Sequence, residues 1–173
     1  RITLEHVTTA DAVQYVTDHG LGATITVQHL MADRNDMLSG GLRPHHYCLP
    51  ILKRRRHRDA LRHAATSGAP NFFLGTDSAP HPVHAKEAAC CAAGCFTAPH
   101  AIAAYAQVFD EEGALDRLEG FASLNGPRHY GLEPNEDTIT LTRGDAIDIP
   151  DRHGSDPSVV PFDPGHPIHW HLS

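Results

Sequence analysis

Asp77 lies three residues beyond the apolar run Phe72-Phe73-Leu74, and His81 lies four residues beyond Asp77. A carboxylate past the end of a buried strand, with an imidazole behind it, is suited to holding a cation or moving a proton. The same Asp-Ser-Ala-Pro order also suits a turn aspartate or a helix N-cap. His6 closes another short run, Ile2-Thr3-Leu4-Glu5. A neutral imidazole there can ligate a divalent metal, or can bond to a backbone carbonyl. The chain carries 15 histidines, so composition makes metal binding plausible without pointing to any one of them.

Two other groups of residues invite a chemical reading. Cys90, Cys91 and Cys95 lie close to His81 and His84. Their Cys-Cys-x3-Cys spacing lacks the C-x2-C pair common in tetrahedral zinc sites, so free reduced thiols are the better reading. Lys53-Arg54-Arg55-Arg56-His57-Arg58 is a basic run that would attract a phosphate backbone. Ile51, Leu52, Ala60, Leu61 and Ala64 give the same stretch an apolar side, which favours a solvated outer helix face.

The elements that must position these residues follow from periodicity and breakers. Residues 2–7 read as a strand ending near His6. Thr8-Thr9-Ala10-Asp11 supplies a hydroxyl cap and an acid for a helix that Gly20 ends. Residues 22–28 read as a second strand, and 31–50 as a long irregular segment of the kind that is usually functional. A basic helix over 51–67 and a strand over 72–75 complete a strand–helix–strand–helix–strand order. That order implies parallel pairing through right-handed crossovers. Residues 82–97 read as irregular, 98–111 and 114–124 as helices with Pro99 in a first turn, and 137–143 as an exposed edge strand. From 144 the chain is rich in Asp, Pro, Gly and His and is expected to wrap the surface.

The stretch Leu74-Gly-Thr-Asp-Ser-Ala-Pro-His81 resembles the last barrel strand of the class II, bacterial-type dihydroorotases of the amidohydrolase superfamily. Further blocks match in the same order: Glu5-His-Val-Thr-Thr9, Thr24-Ile-Thr-Val-Gln-His-Leu30, Arg43-Pro-His-His-Tyr-Cys-Leu-Pro-Ile-Leu-Lys53, Lys86-Glu87 with Gly94-Cys-Phe96, and Asn125-Gly-Pro127 with Tyr130-Gly-Leu132. The resemblance covers residues 1 to 145. It implies an α/β fold in which this chain is the C-terminal portion of a TIM (β/α)8 barrel, about its last three strands with their helices. Residues 1–125 would supply barrel elements and 126–173 a C-terminal extension. Arg1 is not a start methionine and the chain enters a strand at once, so the first barrel strands are expected upstream.

The resemblance also assigns roles. His6 would bind one of a pair of zinc ions, and Asp77 would ligate the other and carry the catalytic proton. Two cations lower the pKa of water toward neutrality. The aspartate would then take a proton and deliver it to the leaving nitrogen of a cyclic amide. His81 would bind the substrate's α-carboxylate. Leu49 and Ala93 would meet the substrate through their backbones. Cys91-Ala92-Ala93-Gly94 departs from the family's cysteine-rich loop, and His46 and His129 stand where apolar or aromatic residues are expected. His169-Trp170-His171 has the spacing of a metal pair, but the family places its pair on the first strand, so these histidines are not expected to be ligands. The remaining ligands and the arginine that clamps the substrate would lie upstream, leaving the isolated chain inactive.

The expected activity is reversible conversion of dihydroorotate to N-carbamoyl-L-aspartate in pyrimidine biosynthesis. A hydantoinase- or allantoinase-like activity and a non-catalytic half-barrel scaffold remain the alternatives. A net charge of −7 argues against a general nucleic-acid partner. No apolar run approaches the ~18 residues of a membrane span. A cytoplasmic, reduced setting and a homodimer of the full-length protein complete the expectation.

Overall fold

The computed structural model describes residues 1–173. Three parallel strands lie in chain order: β1 (Thr3–Leu4), β2 (Gly22–Ile25) and β3 (Phe72–Leu74). Thr3 pairs with Gly22 and Leu4 with Ala23, while Ala23, Thr24 and Ile25 pair with Phe72, Phe73 and Leu74. Parallel neighbours need a crossover. Helix α1 (Ala10–His19) supplies the first, and two short helices with a longer one over Arg55–Thr66 supply the second. Thr9 starts α1 by accepting the Ala12 N–H at 3.0 Å, and Gly20 ends it in the left-handed conformation.

The strands are shorter than expected. β1 ends at Leu4, and Glu5 and His6 turn away from the ladder. β2 ends at Ile25, because the chain turns at Thr26 into a buried helix, α2 (Val27–Met31). Every residue of α2 is buried. Residues covered on all sides give no strand or helix period to read. Residues 31–50, expected to be irregular, contain helix α3 (Arg34–Leu38), started by a reciprocal capping box between Asp33 and Asp36.

Helix α4 runs from Arg55 to Thr66 and buries Leu61, Ala64 and Ala65. Its basic end is not wholly solvated: Arg55 and Arg58 both reach the buried carboxylate of Asp33, at 3.4 and 3.6 Å. A short helix, α5 (Val83–Lys86), follows β3, and α6 (Ala101–Glu111) begins three residues later than expected. Tyr105 of α6 is fully buried and donates its hydroxyl to the Ile25 carbonyl at 2.8 Å. Phe121 packs on Tyr105 and Phe109, each such side chain contributing about 1.5–3 kcal/mol by burial. The second expected helix is a composite of a 3-10 turn (Leu115–Arg117) and a π turn (Gly120–Leu124) leading into α7 (Asn125–Tyr130).

The tail returns to the body instead of only wrapping it. Phe162 and Ile168 join the core cluster. Of the expected edge strand only β4 (Leu141–Arg143) forms, pairing antiparallel with β5 (Trp170–Leu172). The Phe162 N–H donates to Phe96 O at 2.8 Å and the His169 N–H to the Gln107 side chain at 2.9 Å.

Candidate active site

His6 and Asp77 leave the C-terminal ends of β1 and β3 and converge over β2. Both adopt positive φ, 56° and 43°. Non-glycine residues in that region are strained, and such strain gathers where a side chain must be aimed. The His6 N–H donates to Thr24 Oγ1 at 2.7 Å, and the same hydroxyl lies 3.0 Å from His6 Nδ1. With Nδ1 engaged, Nε2 turns to Asp77 and stops 3.9 Å from Oδ1.

Gly75 makes room for this arrangement. A Cβ placed there would lie 2.6 Å from Thr24 Cβ, so any larger residue would displace the hydroxyl that holds His6. His6, Thr24, Gly75, Thr76 and Asp77 line a cleft of about 500 Å³, and Tyr130 contributes to its wall. α7 is held on that side by Phe73, whose ring meets His129 at 5.2 Å and Tyr130 at 5.8 Å.

His81 stands at the rim. Its Nε2 lies 3.0 Å from Ala93 O. A carbonyl only accepts, so this nitrogen carries a hydrogen and donates it. The Ala79 N–H donates to Cys95 O at 2.9 Å, and Ser78 Oγ accepts the N–H groups of Thr97 and Ala98. The segment 77–81 is thereby laced to the cysteine-containing loop. Leu49 sits on the loop after the 3-10 turn Pro44–His46, with 60% of its surface exposed. Neither peptide group of Leu49 bonds within the chain, and the Ala93 N–H is likewise unengaged.

Nothing in the sequence marked Thr24 or Lys86 as more than members of matching blocks. Thr24 acts through a strand neighbour, and Lys86 is buried among backbone carbonyls, one of them on the distant Tyr47. The one available signal for Lys86 was rarity: Lys53 and Lys86 are the only lysines. All four cysteines are free thiols. The ring nitrogens of His169 and His171 lie 3.2 and 2.8 Å from the Gly144 and Asp145 carbonyls, on the strand side of the tail.

The donor set of the cleft fits a divalent metal. An imidazole Nε2 with its other nitrogen engaged, beside a carboxylate, is ordinary zinc-ligand chemistry. His6 is the one basic side chain that comes within 4.0 Å of that carboxylate. No three His, Cys, Asp or Glu side chains converge on a common point in this chain. No helix is long and apolar enough to cross a membrane.

Residues 1–140 match the Amidohydrolase family. A dihydroorotase of Ruegeria pomeroyi is 64% identical over a 176-residue alignment that takes in 100% of this chain and 51% of that protein. The crystal structure of dihydroorotase from Saccharomyces cerevisiae in complex with 5-fluoroorotic acid superposes with a TM-score of 0.89 at 34% identity, over 99% of this chain and 51% of that one. An L-hydantoinase from Arthrobacter aurescens gives 0.79 at 18% identity, over 98% of this chain and 42% of that one, a likeness of fold alone. This chain thus spans about half the length of the curated relatives it matches. With its parallel strands, crossover helices and convergent His6 and Asp77, the chain belongs to the amidohydrolase family.

Proposed function

We propose that this chain is the C-terminal part of a dihydroorotase, contributing about the last three strands of its (β/α)8 barrel. Residues 1–125 provide barrel elements, and 126–173 form an extension of the same domain. The observation that carries the reading is the 3.9 Å approach of His6 Nε2 to Asp77 Oδ1 past the ends of neighbouring parallel strands. The reaction is the reversible hydrolysis of dihydroorotate to N-carbamoyl-L-aspartate in pyrimidine biosynthesis. The full-length protein is taken to be a cytoplasmic homodimer.

In this reading Thr24 fixes the ring of His6, which leaves Nε2 as a neutral ligand. His6 and Asp77 would hold zinc, a pair of ions in the complete site, whose chemistry is to acidify water and polarise the amide carbonyl. Asp77 accepts the proton released during attack and returns it to the leaving ring nitrogen. In the cyclising direction it works in reverse. His81 faces the substrate carboxylate, and the free peptide groups of Leu49 and Ala93 hold the ring and its carboxylate.

The test is to express the complete reading frame that contains this chain and follow dihydroorotate hydrolysis in both directions, with hydantoin and allantoin as competitors. Faster turnover of either competitor would transfer the assignment to another cyclic amidohydrolase. A frame without upstream metal ligands, and without turnover, would leave a non-catalytic half-barrel.

A further inference from the structure

Lys86 ends α5 with only 2% of its surface exposed. Its ammonium is satisfied entirely by the backbone, donating to Tyr47 O at 2.8 Å, Ala92 O at 2.8 Å and Gly94 O at 2.7 Å. An ammonium has three donors, so none is left over. One of these carbonyls lies two residues before Leu49, and the other two flank Ala93. The Gly94 N–H donates to the same Tyr47 carbonyl at 2.9 Å, so two segments more than forty residues apart in sequence meet at one point.

Burial works against a cation there, and the three carbonyls offset that cost. Burial pulls the Lys86 ammonium below its ordinary value, while the thiols of Cys95, Cys91 and Cys48 act in the opposite sense. The Tyr47 ring lies 5.9 Å from Nζ. Gly94 lets its loop lie close to the segment after β3: a Cβ on it would lie 2.7 Å from the Ala79 carbonyl oxygen. Within residues 92–94, the Ala92 N–H goes to Ala85 O and the Gly94 N–H to Tyr47 O, leaving only that of Ala93 unengaged.

We propose that Lys86 is a positioning residue: its three-carbonyl clamp locks the loop of Leu49 to the loop of Ala93, so that their unengaged peptide groups meet one small cyclic amide bearing a carboxylate. The identity of that substrate rests on the dihydroorotase reading, whereas the clamp does not. Arginine is a poor replacement, because a planar fork cannot aim three donors at carbonyls converging on one nitrogen.

Two measurements decide it. With Lys53 and Lys86 as the only lysines, ¹⁵N-lysine labelling of the unaltered chain gives two ammonium signals. Lys53, which donates only to Ile51 O, is the internal control. The clamp requires Lys86 ammonium protons to exchange with water at least about ten-fold more slowly than those of Lys53. In the longer enzyme, Lys86→Met is expected to raise KM for dihydroorotate about ten-fold or more while kcat stays within about three-fold, the pattern of lost uniform binding. Lys86→Arg should keep the charge and still raise KM.

Equal ammonium exchange, or an unchanged KM in a folded Lys86→Met enzyme, overturns the proposal. If Lys86→Met does not fold, the exchange comparison and the KM of Lys86→Arg decide in its place. Absence of dihydroorotate turnover by the unaltered longer enzyme would instead sink the dihydroorotase reading. The clamp would then stand or fall on the exchange rates alone.

Discussion

His6 Nε2 lies 3.9 Å from Asp77 Oδ1, although 71 positions separate the two residues in the chain. Each is aimed by a positive φ, and His6 is further held by the Thr24 hydroxyl. Asp77→Asn keeps the shape and tolerates the left-handed backbone, but it cannot carry a proton. In the complete enzyme this change is expected to lower kcat by about 10²–10⁴-fold, the usual worth of a general acid–base. Thermal unfolding measured beside the kinetics should show a midpoint within a few degrees of the parent. A kcat near that of the parent would remove Asp77 from proton transfer.

Thr24→Val deletes the hydroxyl that engages both the His6 N–H and Nδ1. Loss of such an orienting partner typically costs about 10–100-fold in metal affinity. An amide left without its acceptor adds about 1–3 kcal/mol of destabilisation. Thr24→Ser restores the hydroxyl and should restore most of both. Competitive zinc titration and urea denaturation measure the two effects separately.

His46 and His100 tie stability to pH. Burial lowers both pKa values below the ordinary 6.5, helped at His46 by Arg43 and opposed at both by Asp163. A folded-state pKa below the unfolded one means that the unfolded chain binds more protons as pH falls. Stability is therefore complete above pH 6.5 and declines as pH drops below it toward the folded-state pKa values. Denaturant midpoints between pH 7.5 and 5 should follow that slope. Neither ring nitrogen of His46 has a hydrogen-bond partner, and its ring packs on Phe162 at 5.0 Å. His46→Leu should flatten the slope and stabilise the protein by about 1 kcal/mol.

His81 should support binding of the substrate carboxylate. Its Nε2–H is committed to Ala93 O, which fixes the ring at the rim of the cleft. Calorimetric titration of the complete enzyme with orotate measures that binding. His81→Asn should weaken it by about ten-fold or more.

The 173-residue chain alone is expected to show no metal-dependent hydrolysis of dihydroorotate. His6 and Asp77 are two donors, and no group of three metal-binding side chains converges here. Catalytic zinc sites use at least three protein ligands. Turnover by the purified chain would show that it assembles a working site without residues from elsewhere.

Much of this was legible before any coordinates. The three parallel strands, the capped first crossover, and His6 and Asp77 at strand ends follow from short apolar runs, breakers and ordered motifs in the sequence. Boundaries were less legible where burial is complete. Val27 and Gln28 read as a continuation of β2 because α2 is covered on every side. A pattern of inward and outward residues exists only where one side meets water.

What the sequence determined by itself is the chemistry available: an imidazole and a carboxylate at two strand ends, a rim histidine, and loops carrying Leu49 and Ala93. What tertiary structure decided is how those groups are held. Thr24 became the support of His6 because β1 and β2 pair in parallel, and Gly75 leaves room for it. Lys86 became the hub of two loops because packing removed water from its ammonium and three carbonyls took its place. A buried polar group must find a partner, and sequence spacing does not reveal which distant backbone will supply it.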